Sequence, residues 1–488
     1  MAMAEKTEQK TNVLVVTFSS QGHINPLLRL GKCLQSKGLH VTLATTELAR
    51  HRMFKHSSST TTDTTATAMT ISGISLQFFS DGLSLDYDRK TNLNNYMDCL
   101  SKFGPINLSN LIKDLYQRGF PKFSCIIATP FVPWAADVAA EHQTPCALIW
   151  IQPCALFSIY YHFVNKLSNL PTSEDPEITV KLPGIPLLNT VDLPSFLLPS
   201  NRLDSILILV YETLENIKKF KWVLANSFYE LEKDVIDGIS NLVSIKSVGP
   251  LIPTKLLGEN EIPEIGIDMW KAEDKCLDWL NQKSESSVIY AAFGSIAVLS
   301  RTQMENVANA LKNTNMDFIW VVKPPDYPVH EGEGEVPEGF LDEIKEKGMV
   351  VPWCHQTSVL SHPSIACFLT HCGWNSVLEA ISAGVPLIGF PQWSDQPTNS
   401  KLMADVFGVG LRVWPEKDGV VSSQALVTCI EEVVSGHRAA EFRAKATEWK
   451  LAARGAVATG GSSDQNIQWF VNEIVKNSSP SQRSLNSH

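Results

Sequence analysis

Short apolar, β-branched runs alternate along the chain with amphipathic stretches, which is the pattern of parallel strands joined by helices. Residues 13–18 read as a first strand, 25–37 as its helix and 41–45 as a second strand. The same alternation predicts strands at 125–128, 147–151, 288–293, 318–322, 365–370 and 386–390. The fold class is therefore α/β, with two doubly wound, Rossmann-like domains. A strand-like run at 244–248 passes into Gly249-Pro250 and a stretch bearing Pro and Gly, ahead of an acidic helix near 274–282. The boundary is expected there: 1–250 as one half, 251–270 as a linker and 271–460 as the other half. A last helix, 461–476, is expected to cross back onto the first half, with 477–488 as a flexible tail. The Ser/Thr run 56–67 and the acidic, glycine-bearing run 328–339 read as long surface loops.

Composition narrows the class. With 488 residues, 44% of them hydrophobic, the chain can fill two cores. A net charge of −10, with Lys and Arg scattered singly, argues against a nucleic-acid partner. The first apolar run is too short for a signal or membrane segment, so a cytoplasmic protein is expected. Ten cysteines without C-x-x-C spacing fit reduced core thiols. Cys367, His371 and Cys372 come nearest to a metal cluster, but no second ligand pair completes it and no metal is expected.

The stretch from Trp353 to Gln396, WCHQTSVLSHPSIACFLTHCGWNSVLEAISAGVPLIGFPQWSDQ, carries the most chemistry. It reads as a Trp on a loop after a strand end at 349–351, a buried strand at 365–370, and a tight His371-Cys372-Gly373 turn feeding a helix from about Trp374. Asn375 and Ser376 then lie in the first helical turn, where unpaired N–H groups and the positive dipole end suit a diphosphate. Glu379 lies one turn deeper on the same face, where a carboxylate can accept from two vicinal ribose hydroxyls. Asp395 and Gln396 follow the next strand end, within reach of sugar hydroxyls. Each piece has an ordinary reading too: a core Trp, a helix cap, a solvated Glu.

Taken together, the segment closely resembles, over its full length and without a gap, the signature box of the plant secondary-product glycosyltransferases, family 1 enzymes of the GT-B fold. SSQGHINPLLRLGKCL, WVLANSFYELE, VGPL and VIYAAFGSI resemble further stations of that family in the same order. The resemblance implies two Rossmann-like domains facing across a cleft, the first binding the acceptor and the second UDP-glucose as co-substrate, with no other cofactor. It implies that Trp353 stacks on uracil, that the Cys354 backbone pairs with the base edge, and that Gln356 and Glu379 hold the ribose. Ser295, His371, Asn375 and Ser376 would take the diphosphate, with Trp374 beside them at the helix start, and Asp395 with Gln396 the sugar. The final Gln points to glucose.

His23 is predicted on the loop after the first strand, two residues before an Asn25-Pro26 helix start, at the carboxyl end of a parallel sheet where such folds bind ligands. It is either an idle loop histidine or a base. Its G-H-x-x-P context resembles that of the family's catalytic histidine, a general base for inverting transfer. In most members an Asp orients that histidine; in ATPFVPWAADVA the matching position is Thr129, which cannot carry the countercharge, while Asp137 reads as an ordinary helix residue. Three consequences stay open: loss of activity, carboxylate or acidic phenolic acceptors giving esters or O-glucosides, and attack through an electron-rich aromatic carbon giving C-glucosides. LIWIQPCALFSIYYHF resembles the subgroup holding ester-forming enzymes and some C-glucosyltransferases. A small phenolic or polyphenol acceptor is expected, flavonoids and phenolic acids included, for a protein acting as a monomer. A nucleotide-dependent oxidoreductase would need G-x-G-x-x-G where the chain has Ser19-Ser20-Gln21-Gly22-His23. A non-catalytic UDP-sugar or metabolite-binding protein would bind without turnover.

Overall fold

The structure is a computed structural model describing residues 11–54, 69–89, 91–169, 171, 175, 177–199, 205–258, 265–267, 273, 275–325, 329–345, 347–416 and 418–478. The Ser/Thr run 56–67, much of the linker and the tail from 479 lie outside them. The first half is built on β1 (Asn12–Val16), β2 (His40–Thr46), β3 (Met69–Ile71), β4 (Ile74–Phe79), β5 (Phe123–Ala128) and β6 (Cys146–Trp150), with a small hairpin of β7 (Thr179–Val180) and β8 (Leu188–Asn189), then β9 (Trp222–Ala225) and β10 (Ile245–Ser247). Its main sheet runs β10-β9-β6-β5-β1-β2-β4-β3, parallel except for β3. The second half holds β11 (Val288–Ala292), β12 (Asp317–Val321), β13 (Gly348–Val351), β14 (Ile365–Thr370), β15 (Leu387–Gly389) and β16 (Gly410–Arg412), in the order β13-β12-β11-β14-β15-β16, all parallel.

The strands are continuous apolar runs because helices cover both faces of each sheet. In β1 the period of two is visible in the packing: Val13 and Val15 enter one core, Leu14 and Val16 the other. The second of these cores continues into the other half through Tyr290, Phe368 and Trp374. The helix Ser462–Ser478 places Ile467, Phe470, Val471 and Ile474 in the core of the first sheet, with Phe470 edge-on to Trp222 at 5.4 Å. Lys37 pairs with Asp464 at 2.5 Å across this contact.

One element differs from its sequence reading in a way that matters for the site. The first helix spans Gln21–Ser36, so it starts before Asn25 and carries Pro26 inside it. His23 is thus in the first helical turn, not on the loop ahead of it. A helical proline has no N–H to give the carbonyl four residues back, here that of Gly22. That carbonyl is met from the other half, by Asn375 Nδ2 at 2.8 Å.

Candidate active site

Each sheet reverses its winding once, and the loops on either side of the reversal diverge to open a crevice. In the first sheet the reversal lies between β1 and β5, whose trailing loops lead to His23 and Thr129. In the second it lies between β11 and β14, whose trailing loops carry Ser295 and His371. A cavity of about 460 Å³ separates the halves here, lined by Gln21, Gly22, Asn25 and Arg29 on one side and by Ser295, Trp353, His371, Asn375 and Glu379 on the other.

The donor-side polar groups form one network. Tyr290 donates to Gln356 Oε1 at 3.2 Å, and Gln356 Nε2 donates to Ser376 Oγ at 3.0 Å and Glu379 Oε2 at 2.8 Å. Glu379 keeps only 9% of its surface exposed, so the ordinary reading of a solvated helix residue fails for it. The helix Trp374–Ala383 begins at Gly373 with no side-chain cap, which leaves its first N–H groups directed at the cavity. Beside it, Gly294 has φ +80° and a Cβ there would stand 2.7 Å from His371 Nε2, so only glycine lets this imidazole close onto the β11 loop. Burial pulls the His371 pKa down to about 4 against a smaller opposing effect of the Ala292 carbonyl, so the ring is neutral near pH 7.

The structure gathers Ser295, Trp353, Cys354, Gln356, His371, Asn375, Ser376 and Glu379 around this cavity. Trp374 is not among its lining residues: its indole is buried and donates to the Asn226 carbonyl at 2.7 Å, which makes it an anchor between the halves. Asp395 and Gln396 also stand off the lining, at the start of the helix Gln396–Lys401. Gln396 Oε1 accepts from the backbone N–H of Gln392 and Trp393 at 2.9 and 3.2 Å, and Asp395 Oδ2 accepts from Asn399 Nδ2 at 2.7 Å. Sequence reasoning missed the contribution of the first helix. Asn25 exchanges hydrogen bonds with the backbone of Ile267, and Arg29 Nη1 donates to the Leu251 carbonyl at 3.3 Å. Pro26 was the available signal, since a helical proline frees a carbonyl for a partner elsewhere. Tyr290 was legible only as an inward strand residue.

His23 lies between two phenyl rings, with Phe18 at 4.5 Å and Phe131 at 4.6 Å, both edge-on. Phe131 follows Thr129 by two residues, so the Thr129 loop does reach the histidine. Nδ1 of His23 and Oγ1 of Thr129 are both buried without a hydrogen-bond partner. Burial lowers the His23 pKa to about 3, and its place at a helix N-terminus acts in the same direction. Asp137 is an exposed helix residue paired with Lys219 at 2.8 Å.

Two neutral, half-buried histidines make stability depend on pH. Both folded pKa values lie below the ordinary 6.5, so as pH falls from 6.5 the unfolded chain takes up protons that the fold refuses. Stability contributed by these groups is complete above 6.5 and lost toward about pH 4, with a slope of at most ~1.4 kcal/mol per pH unit per histidine. Chemical denaturation across this range is expected to show that loss, and His371→Gln to reduce it; the same acid sensitivity in both proteins would exclude the histidine as its source.

The family described as "UDP-glucoronosyl and UDP-glucosyl transferase" matches residues 266–442, the half that carries the donor-side network. UDP-glycosyltransferase 84B2 of Arabidopsis thaliana is 42% identical over 462 residues, covering 94% of this chain and 99% of that protein. Gallate 1-beta-glucosyltransferase 84A24 of Punica granatum is 40% identical over 480 residues, 97% and 90% of the two chains. Among solved structures, Os79 from O. sativa in complex with UDP superposes with a TM-score of 0.84 at 28% identity, over 95% of this chain and 100% of that one. Fold and site together define a glycosyltransferase of the GT-B class. The chain belongs to the plant UDP-glycosyltransferase family.

Proposed function

We propose that this UDP-glycosyltransferase transfers glucose from UDP-glucose to a small phenolic acceptor with inversion, using His23 as general base and no metal ion. The observation that carries this reading is the state of His23: a neutral imidazole in an aromatic cage, with threonine where a carboxylate would stabilise its protonated form. Phe18 and Phe131 offer an apolar, aromatic surface to an acceptor. The donor-side network supports UDP binding, with Trp353 for uracil, Gln356 and Glu379 for ribose, and Ser295, His371, Asn375 and Ser376 for the diphosphate. Asp395 and Gln396 are proposed to hold the sugar, Gln396 favouring glucose.

The weak base limits the acceptors. An imidazole held well below its ordinary range by desolvation takes a proton far less readily from an alcohol, as weakly acidic as water, than from a phenol of ordinary pKa near 10. Acidic polyphenols, flavonoids among them, are therefore favoured over alcohols. With a phenolate, whose hydroxyl proton has passed to His23, the electron-rich ring carbon can also attack: the anomeric C–O bond breaks, UDP leaves with its electron pair, a C–C bond forms, and the ring proton passes to solvent as the ring regains aromaticity. C-glucoside formation is part of the proposed activity on this ground. A carboxylate, already ionised, needs no base, and the gallate glucosyltransferase relative favours glucose esters of phenolic acids as the second reading. Ten free cysteines fit a reducing cytoplasmic setting, among the described residues no helix is long and apolar enough to cross a membrane, and one chain supplies both sides of the cavity, as a monomer requires. UDP release with polyphenols separates this reading from a binding protein without turnover.

Thr129→Asp tests the assignment. A carboxylate beside His23 raises the imidazole pKa and stabilises the imidazolium. The variant is expected to gain O-glucoside of weakly acidic hydroxyls relative to ester or C-glucoside, read by mass spectrometry and NMR of the products. An unaltered product profile would show that position 129 does not set the acceptor chemistry.

A further inference from the structure

Ser394 precedes the proposed sugar-binding pair Asp395-Gln396 and holds a left-handed backbone, φ +63°, which a residue with a side chain adopts only at an energetic cost. Such a conformation persists where its surroundings over-determine it. The surroundings here come from the other half of the molecule. Ser195 donates its backbone N–H to the Ser394 carbonyl at 2.8 Å, and Ser195 Oγ accepts the Ser394 N–H at 2.7 Å. One residue of the acceptor half thus holds both backbone groups of the strained position. Around it, Phe196 packs edge-on to Trp393 at 5.8 Å, Thr398 Oγ1 donates to the Asp192 carbonyl at 2.7 Å, and the fully buried Asp192 carboxylate pairs with Arg412 at 2.6 Å.

We propose that Ser195 is a positioning residue of the donor-sugar subsite: from the acceptor half it locks the Ser394 turn, and the turn aims Asp395 and Gln396 at the transferred sugar. The proposal rests on the reading that those two residues hold the sugar. Its physical content is that sugar recognition, though carried by the second half, depends on a contact made only when the two halves are docked. Loss of the Ser195 hydroxyl leaves the Ser394 N–H unsatisfied and the left-handed turn held on one side only. Uracil, ribose and diphosphate contacts lie on other elements, so UDP itself should not sense the change.

The test uses the full chain with one phenolic acceptor and measures UDP affinity, kcat/KM for UDP-glucose, and preference for UDP-glucose over UDP-galactose. Ser195→Ala is expected to lower kcat/KM for UDP-glucose by about 5–10-fold, the effect of one lost hydrogen bond, and to narrow the sugar preference while UDP affinity stays the same. Ser195→Thr, which keeps the hydroxyl, is expected to recover both. Gln396→Ala, measured beside them, reports on the underlying reading. If Gln396→Ala changes the sugar preference and Ser195→Ala does not, the positioning role is overturned. If Gln396→Ala also leaves it untouched, the sugar-subsite assignment itself fails. Parallel loss of UDP affinity in Ser195→Ala would reduce Ser195 to general structural support and equally overturn the proposal.

Discussion

Replacement of His23 by alanine is expected to lower turnover on a phenolic hydroxyl by about 10²–10⁴-fold, the usual effect of removing a general base. The imidazole is held at the Phe18 and Phe131 cage, and desolvation there keeps it neutral, so it is ready to accept a proton without first losing one. It does not line the donor cavity, and UDP affinity should be unchanged. The size of the loss should track the acceptor: greatest for weakly acidic phenols, small for a carboxylate that arrives ionised. A variant with unreduced turnover on phenols would remove His23 from the mechanism, whereas equal losses on phenols and carboxylates would point to a role in packing the cage.

Removal of the Glu379 carboxylate should weaken UDP binding by roughly 10–150-fold, corresponding to about 1.5–3 kcal/mol for hydrogen bonds made to a charged group. Glu379 lies in the donor-side helix one turn behind Asn375 and is oriented by Gln356, whose amide also reaches Ser376. A vicinal diol entering the cavity would therefore meet a carboxylate already held in place, which is why Glu379→Ala should cost more than an exposed acid would. Glu379→Gln, similar in shape but uncharged, is expected to fall between wild type and Ala. Calorimetric titration with UDP gives both values, and the same titration in EDTA is expected to match if, as proposed, helix N–H groups and neutral His371 take the phosphates. UDP affinity unmoved by Glu379→Ala would sink the ribose assignment, and a requirement for magnesium would contradict the metal-free diphosphate site.

Much of the fold was legible because parallel strands buried on both faces leave unmistakable apolar runs. Residues 365–370 coincide with β14, and the other predicted strands fall within two residues of those observed at each end. The donor-side residues were legible as a group because the strand, turn and helix that carry most of them are contiguous in sequence. Trp374 was misread for a local reason: a Trp at a helix start next to a phosphate site looks like a ligand contact, and nothing nearby in sequence reveals that its indole turns away to the Asn226 carbonyl.

The succession of strands and helices along the chain, the helix that starts after the His371-Cys372-Gly373 turn and the absence of an acid at position 129 were legible in the sequence alone, since each depends on residue types within a few positions of one another. Only the tertiary structure decided how the halves meet. Pro26 reads locally as a helix beginning, yet it sits inside a helix because the Gly22 carbonyl it frees is satisfied by Asn375, 353 residues away. The left-handed Ser394 is likewise held by Ser195, 199 residues earlier in the chain. In both cases a backbone group that local structure leaves unpaired or strained must find its partner in the opposite half, and a local sequence pattern carries no record of a partner so distant.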